Sequence, residues 1–179
     1  MKKSTKNSFA VISTFFLING FPPAIADTGT AELGRQLFFD NNLSLNRSQS
    51  CATCHNPAAG FVDNRDNGTD AAVSLGDDGS SLGGRTAPTA TYASFAPTFH
   101  YDIKAEQYVG GQFWDGRAKD LQEQAGGPPL NPLEMQMPDK ESVKKRIQEN
   151  TTYIQSFKQH YGNNIFDNND KFYSAMTDA

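Results

Sequence analysis

Sulfur and imidazole are scarce in this 179-residue sequence, which holds two cysteines, three histidines, four methionines and a single tryptophan. With one C-x-x-C pair and no second, a four-ligand structural zinc site has too few thiolates, and His100 and His160 do not form a ligand pair to complete it. Positive charge is also short: 16 Lys and Arg face 20 Asp and Glu, a formal net charge of −4, so nucleic-acid binding has no electrostatic support. Beyond the N-terminus there is no long apolar run, and no later segment reads as a stable membrane span. No internal repeat and no convincing strand run is visible. What remains, 37% hydrophobic residues with 15 Gly and 9 Pro, describes one loop-rich globular domain rather than a disordered chain.

Lys2, Lys3 and Lys6 precede an apolar run from Phe9 to Ile18, and Ala24-Ile25-Ala26 follows as a small-x-small pattern. This is the plan of a bacterial secretory signal peptide over residues 1–26, with a mature chain over 27–179. A membrane anchor is the rival reading, but the run is shorter than the roughly 20 residues a span needs. Two cysteines in an exported protein would ordinarily suggest a disulfide. Across only two intervening residues such a bridge is strained.

The apolar spacing predicts helices at both ends of the mature chain. Ala31–Asp40 places Leu33, Leu37 and Phe38 on one face. A long Gly/Asp/Ser/Thr-rich stretch from Phe61 to Thr91 reads as irregular loop, and a short helix from Lys119 to Ala125 ends at Gly126, Gly127, Pro128 and Pro129. Asp139 is a candidate cap for a helix carrying Val143 and Ile147. A second helix groups Ile154, Phe157 and Tyr161 and stops at Gly162. A third, from Asn169, aligns Phe172, Ala175, Met176 and Ala179. No stop signal follows it, so its apolar face is expected to be uncovered and the chain to continue.

Cys51-Ala52-Thr53-Cys54-His55 is a C-x-x-C-H sequence, the attachment signature of c-type haem. Two thiols three positions apart on a helical turn point at one porphyrin edge and add across its two vinyl groups. The next residue, His55, then supplies the proximal nitrogen ligand of the iron. In bacteria this attachment takes place outside the cytoplasm, which agrees with the leader. A thioredoxin-like redox pair would want a βαβ context that is missing here.

Beyond this motif, LGRQLFFDNNLS (33–44), SCATCHNPAAGF (50–61), GGRTAPT (83–89) and GGQFWDGRAKDLQEQAGGPPLNPLEM (110–135) resemble the bacterial di-haem cytochrome c peroxidase family. The methylamine-utilisation di-haem oxidases are relatives of the same architecture. The family has two haem domains, each with its own C-x-x-C-H, and this sequence carries one. The resemblance therefore implies the N-terminal, peroxide-reactive haem domain, read as a fragment lacking the second haem domain in preference to a mono-haem variant. The fold it implies is mainly α, a cytochrome c-like haem domain with long irregular loops.

The family's site residues carry over position by position. Glu134 matches the distal glutamate, a proton carrier for peroxide cleavage. Gln124 matches a distal-pocket glutamine that orients peroxide or water, and Pro128 a proline shaping the same pocket. Trp114 matches a tryptophan between the two haems that helps electrons pass. Asp115 and Arg117 are expected to organise that loop as an ion pair, with a haem propionate as a second partner for Arg117. Asp77 stands where many members carry a histidine that ligates the resting iron. An open haem is therefore expected, with His100 as a rival sixth ligand. Family calcium binding uses an asparagine whose place is taken here by Thr86, which puts that ion in doubt. Met135 and Met137 are rival iron ligands or core residues. Tyr92, Phe95, Phe99 and Phe113 are expected as haem-pocket or core aromatics.

Together these imply a periplasmic cytochrome c peroxidase. It would reduce hydrogen peroxide to water with electrons from a small donor cytochrome c or cupredoxin, and family members are often homodimers. The alternatives are a mono-haem electron-transfer cytochrome and a di-haem oxidase acting on a partner protein.

Overall fold

The computed structural model describes residues 28–179, and the secretory leader expected over residues 1–26 lies outside the described residues. Among the described residues, six α-helices, joined by long loops and short 3-10 turns, account for the regular structure, with one two-stranded sheet. In chain order the helices are α1 (Thr28–Phe38), α2 (Cys51–Cys54), α3 (Leu121–Ala125), α4 (Lys140–Gln148), α5 (Thr151–Tyr161) and α6 (Asn169–Asp178). Among the described residues, no helix is long and apolar enough to cross a membrane.

The helices begin where side-chain oxygens can satisfy the free N–H groups of a first turn. Asp120 accepts from Glu123 N at 2.9 Å, Asp139 from Ser142 N at 2.7 Å, Asn150 from Thr152 N at 2.9 Å and Asn168 from Lys171 N at 2.9 Å. Gly162 closes α5 with φ +94°, in the region glycine enters without a Cβ penalty, and its N–H donates to the Lys158 carbonyl.

The core lies between α1, α4, α5 and α6. Leu33 and Leu37 of α1 meet Val143 and Ile147 of α4, Tyr153 and Phe157 of α5, and Phe172, Tyr173, Ala175 and Met176 of α6. Phe157 sits at its centre, with ring centroids 5.2 Å from Phe172, 5.9 Å from Phe166 and 6.0 Å from Tyr161. Tyr153 is buried where the spacing singled out Ile154, which is only half-buried. The face of α6 is a larger correction: Phe172, Ala175 and Met176 are buried, not uncovered. The helix packs against α3 and α4, and Gly34 of α1 approaches the Ala179 carbonyl so closely that a Cβ there would stand 2.0 Å from it. Met135 and Met137, at 4% and 2% exposure, also belong to this core.

The loop from residue 61 to 91 is irregular, as its composition predicts, and is pinned by isolated bridges such as Leu75 to Leu82. One element was not expected. Strands β1 (His100–Asp102) and β2 (Gln107–Val109) form an antiparallel hairpin with Tyr101 opposite Tyr108. Its turn is built by Asp102, whose carboxylate accepts from Lys104 N at 2.8 Å and Ala105 N at 3.1 Å. Three-residue strands are too short to show an alternation in sequence. Of the aromatics expected in the haem pocket or the core, Tyr92 and Phe95 are 76% and 81% exposed and so are not core, and Phe99 stacks on Tyr108 of the hairpin at 5.3 Å.

Because Phe157 is fully buried at the meeting point of α5 and α6, Phe157→Ala is expected to destabilise the domain by about 3–5 kcal/mol. The shift of the urea unfolding midpoint measures this.

Candidate haem site

The C-x-x-C-H turn is α2 itself. The Ser50 N–H donates to Thr53 Oγ1 at 2.9 Å and Thr53 N to the Ser50 carbonyl at 3.0 Å, which closes the turn at its start. At its other end His55 N donates to the Cys51 carbonyl at 2.9 Å. That bond sets His55 one turn beyond the first cysteine. The His55 ring is oriented by a backbone acceptor: Nδ1 lies 3.2 Å from the Phe61 carbonyl. A carbonyl only accepts, so Nδ1 carries the proton and Nε2 keeps its lone pair for a metal.

The 56–62 loop that supplies this carbonyl is itself tied down. Phe61 N donates to the Asn56 carbonyl at 2.8 Å, and the Gly60 carbonyl accepts from Thr89 Oγ1 at 2.6 Å. Thr89 ends the GGRTAPT stretch, so a block 34 positions beyond His55 fixes the loop that aims its ring.

The donor set fits a c-type haem. Both cysteines are free thiols on one helical turn, and an imidazole with Nε2 available follows directly. Burial pushes the Cys51 thiol up to about 11 and raises Cys54 as well. Thiols held neutral in this way are unlike the low-pKa thiolates of redox pairs. No group of three or more His, Cys, Asp or Glu side chains suited to a metal ion occurs among the described residues. Beside Cys54, Arg65 donates to its sulfur at 3.6 Å and grips Asp63 with two bonds of 2.8 and 2.6 Å. Burial of Asp63 works against its charge, but the Arg65 hydrogen bonds outweigh it and hold the carboxyl down at about 2.

Glu134 lies in a cleft of about 280 Å³ together with Phe113, Arg117, Ala118, Glu123, Gly127, Pro128 and Asn131. Burial raises its carboxyl above the ordinary glutamate range. A hydrogen bond with Asn131 and the charges of Arg117 and His55 oppose the rise. Glu134 and His55 are therefore neighbours in space, although 79 positions separate them. A half-buried carboxyl poised to keep its proton longer than an exposed one is suited to proton transfer.

The other predicted residues divide. Pro128 lines the cleft with Glu134, while at the α3 end it is Glu123, not Gln124, that does so. Asp115 and Arg117 do pair, at 2.9 Å, and Arg85 joins Asp115 at 2.9 Å. Arg117 also stacks over the Phe113 ring at 3.7 Å. Trp114 is 63% exposed, and its Nε1 donates to the Thr86 carbonyl at 2.8 Å. Thr86 Oγ1 donates to the Ala72 carbonyl at 2.6 Å, so this residue is engaged on both sides. His100 is exposed on β1, with Nδ1 2.7 Å from the Thr98 carbonyl.

Asp77 is buried, not directed at a ligand. Its carboxylate accepts from the backbone N–H of Asn46, from Ser48 N at 3.3 Å and from Ser48 Oγ at 2.6 Å. Residues that the sequence did not single out here are Gln49, Asp63, Arg65 and Asn131. Each acts through a bond that local periodicity does not encode, although Asn131 does belong to the NPLEM block.

A short C-x-x-C-H helix, a backbone-aimed histidine and a half-buried glutamate in one mainly α frame define a c-type cytochrome domain with a site for acid–base chemistry. The chain belongs to the di-haem cytochrome c peroxidase family, whose model matches residues 28–179. It is similar to the methylamine utilization protein MauG of Paracoccus denitrificans, 48% identical over 86% of this chain and 40% of that protein. The cytochrome c551 peroxidase of Pseudomonas aeruginosa is 43% identical over 58% of this chain and 24% of its own length. The cytochrome c peroxidase Ccp of Escherichia coli is 36% identical over 79% of this chain and 27% of its own. Among solved structures, the diheme peroxidase BthA from Burkholderia thailandensis superposes with a TM-score of 0.77 at 28% identity, covering 83% of this chain and 36% of that one. The chain thus spans well under half the length of these relatives.

The Asp63–Arg65 pair makes a pH-dependent contribution of definite sign. A carboxyl depressed to about 2 stabilises the fold above its unfolded value of about 4, and that contribution is lost as pH falls from there toward 2. Asp63→Asn is expected to be less stable than the parent at pH 7 and to converge on it in acid, as read by urea unfolding at a series of pH values.

Proposed function

We propose that this chain is the peroxide-reactive haem domain of a periplasmic di-haem enzyme that reduces hydrogen peroxide to water. The observation that carries the reading is Glu134: a carboxyl whose proton affinity is raised by burial, in a cleft with Arg117 and within electrostatic reach of His55. Haem bound through Cys51 and Cys54, with His55 on its iron, supplies the redox centre. The chain's own groups handle the protons. Glu134 takes a proton from the near oxygen of peroxide and returns it to the far one as the O–O bond breaks, so that two electrons and two protons yield two waters. Asn131 keeps the carboxyl oriented, and the positive charge of Arg117 favours the ionised form once the proton has left.

The electrons come from a reduced cytochrome or cupredoxin, through a second haem domain in the full-length protein. Trp114, exposed at 63%, stands on the surface where such a domain would receive or pass them. Asp77, held by Asn46 and Ser48, would not be free to reach a haem iron from that loop. His100, on the outer hairpin, would be turned to the Thr98 carbonyl, and Met135 and Met137 would stay packed in the core rather than replace it. The resting ferric haem is therefore expected to be high-spin and open to peroxide without prior reduction. A low-spin bis-histidine spectrum of the oxidised protein would overturn this.

A second reading, a di-haem oxidase acting on a partner protein, is favoured by the 48% identity to MauG, higher than to either peroxidase above. The same Glu134 chemistry serves both. Steady-state turnover of peroxide with a reduced cytochrome separates them, being fast for a peroxidase and negligible for an oxidase. In either case Glu134→Gln is expected to slow the reaction with peroxide by about 100-fold, the low end of acid–base contributions, while haem attachment is kept. An unchanged rate removes Glu134 from the mechanism.

A further inference from the structure

The backbone of Glu134 is held by two groups from distant parts of the chain. Its carbonyl accepts from Gln49 Nε2 at 2.6 Å and from Asp77 N at 2.8 Å. A carbonyl has two lone pairs, and both are taken. Gln49 is 4% exposed, and its own N–H donates to Ser44 Oγ at 3.2 Å, so the residue is built into the interior. A second tie runs alongside, from Leu45 N to the Met135 carbonyl at 2.9 Å.

The Asp77 side of the clamp is equally fixed. The Asp77 carboxylate binds Asn46 and Ser48, so the two segments that grip Glu134 also grip each other. Gly76 lets them close in: a Cβ there would stand 2.7 Å from the Leu133 carbonyl. Gln49 lies two residues before Cys51, the first haem cysteine. The covalent path from the haem edge to the clamp on Glu134 is thus three residues long.

We infer that Gln49 is a positioning residue for Glu134: its side-chain amide, together with the Asp77 N–H, locks the Glu134 peptide to the haem-bearing segment and so sets where the Glu134 carboxyl stands over the reacting peroxide. The inference rests on the proposed role of Glu134 as proton carrier. Gln49 touches neither substrate nor iron. It acts by removing the freedom of the 131–135 turn to rotate about its own backbone, and a displacement of about 1 Å at such a group is enough to slow a proton transfer severely.

The test uses the full-length, haem-loaded protein. Gln49→Leu removes the donor, and Gln49→Glu removes it while keeping the side-chain shape. Each is made alone and with Glu134→Gln. Three readouts are followed: kcat/KM for peroxide, the association rate of cyanide with the ferric haem (which requires a base to take the proton of HCN), and the thermal midpoint. Each Gln49 variant is expected to lower both rates about tenfold with haem attached, and to change them less than about twofold when Glu134 is already Gln. A merely structural role would move the midpoint and leave cyanide association alone. The inference is overturned if the Gln49 variants keep both rates, or if they lower them equally in the Glu134→Gln background. If Glu134→Gln alone leaves both rates unchanged, the proposed role of Glu134 falls and the positioning role with it, a result distinct from the other two.

Discussion

The C-x-x-C-H turn is only half-buried: none of its four side chains is fully enclosed. A four-residue helix has no propensity to stand alone, and partial burial of its side chains holds this one only in part. Its geometry therefore depends on polar bonds made to it by loops, and above all on the carbonyl of Phe61 at the His55 ring. Everything downstream follows from that dependence. The 56–62 loop needs Thr89, the Cys54 side needs Arg65 and Asp63, and the approach to Cys51 needs Ser44, Ser48 and Gln49. The long, featureless loops of this chain thus frame the candidate haem site.

Asp77 shows how one position can change role without changing the fold. In many family members a histidine at this place reaches the iron. Here a carboxylate turns inward and accepts hydrogen bonds from Asn46 and Ser48. Burial disfavours its charge, but the hydrogen bonds win and its carboxyl stays below the ordinary range. The loop is thereby engaged in bracing Glu134 through the Asp77 N–H.

Much of this was legible in sequence where the physics is local. Asp139, Gly162 and the 143/147 spacing mark helix ends and faces because capping and burial act within one or two turns, and the structure shows them so. The Asp115–Arg117 pair was readable for the same reason, being two residues apart. The β1–β2 hairpin was not, since its three-residue strands carry no period. Tyr92 and Phe95 look like core by type alone, yet exposure is set by what packs over a side chain, which their own sequence does not contain. The face of α6 failed in the opposite sense: α3, α4 and Gly34 cover it from positions remote in the chain.

By itself the sequence determined the chemistry available: two thiols and an imidazole at the one spacing that suits a covalent haem, and a glutamate within a block that resembles a peroxidase pocket. These are properties of covalent order and residue type, and no packing can alter them. Only the tertiary structure decided which nitrogen of His55 is left for a metal, that burial raises the proton affinity of Glu134, and that Asp77 and Gln49 grip its backbone. Those depend on contacts between residues tens of positions apart, and hydrogen-bond direction and desolvation come into being only when the chain brings them together.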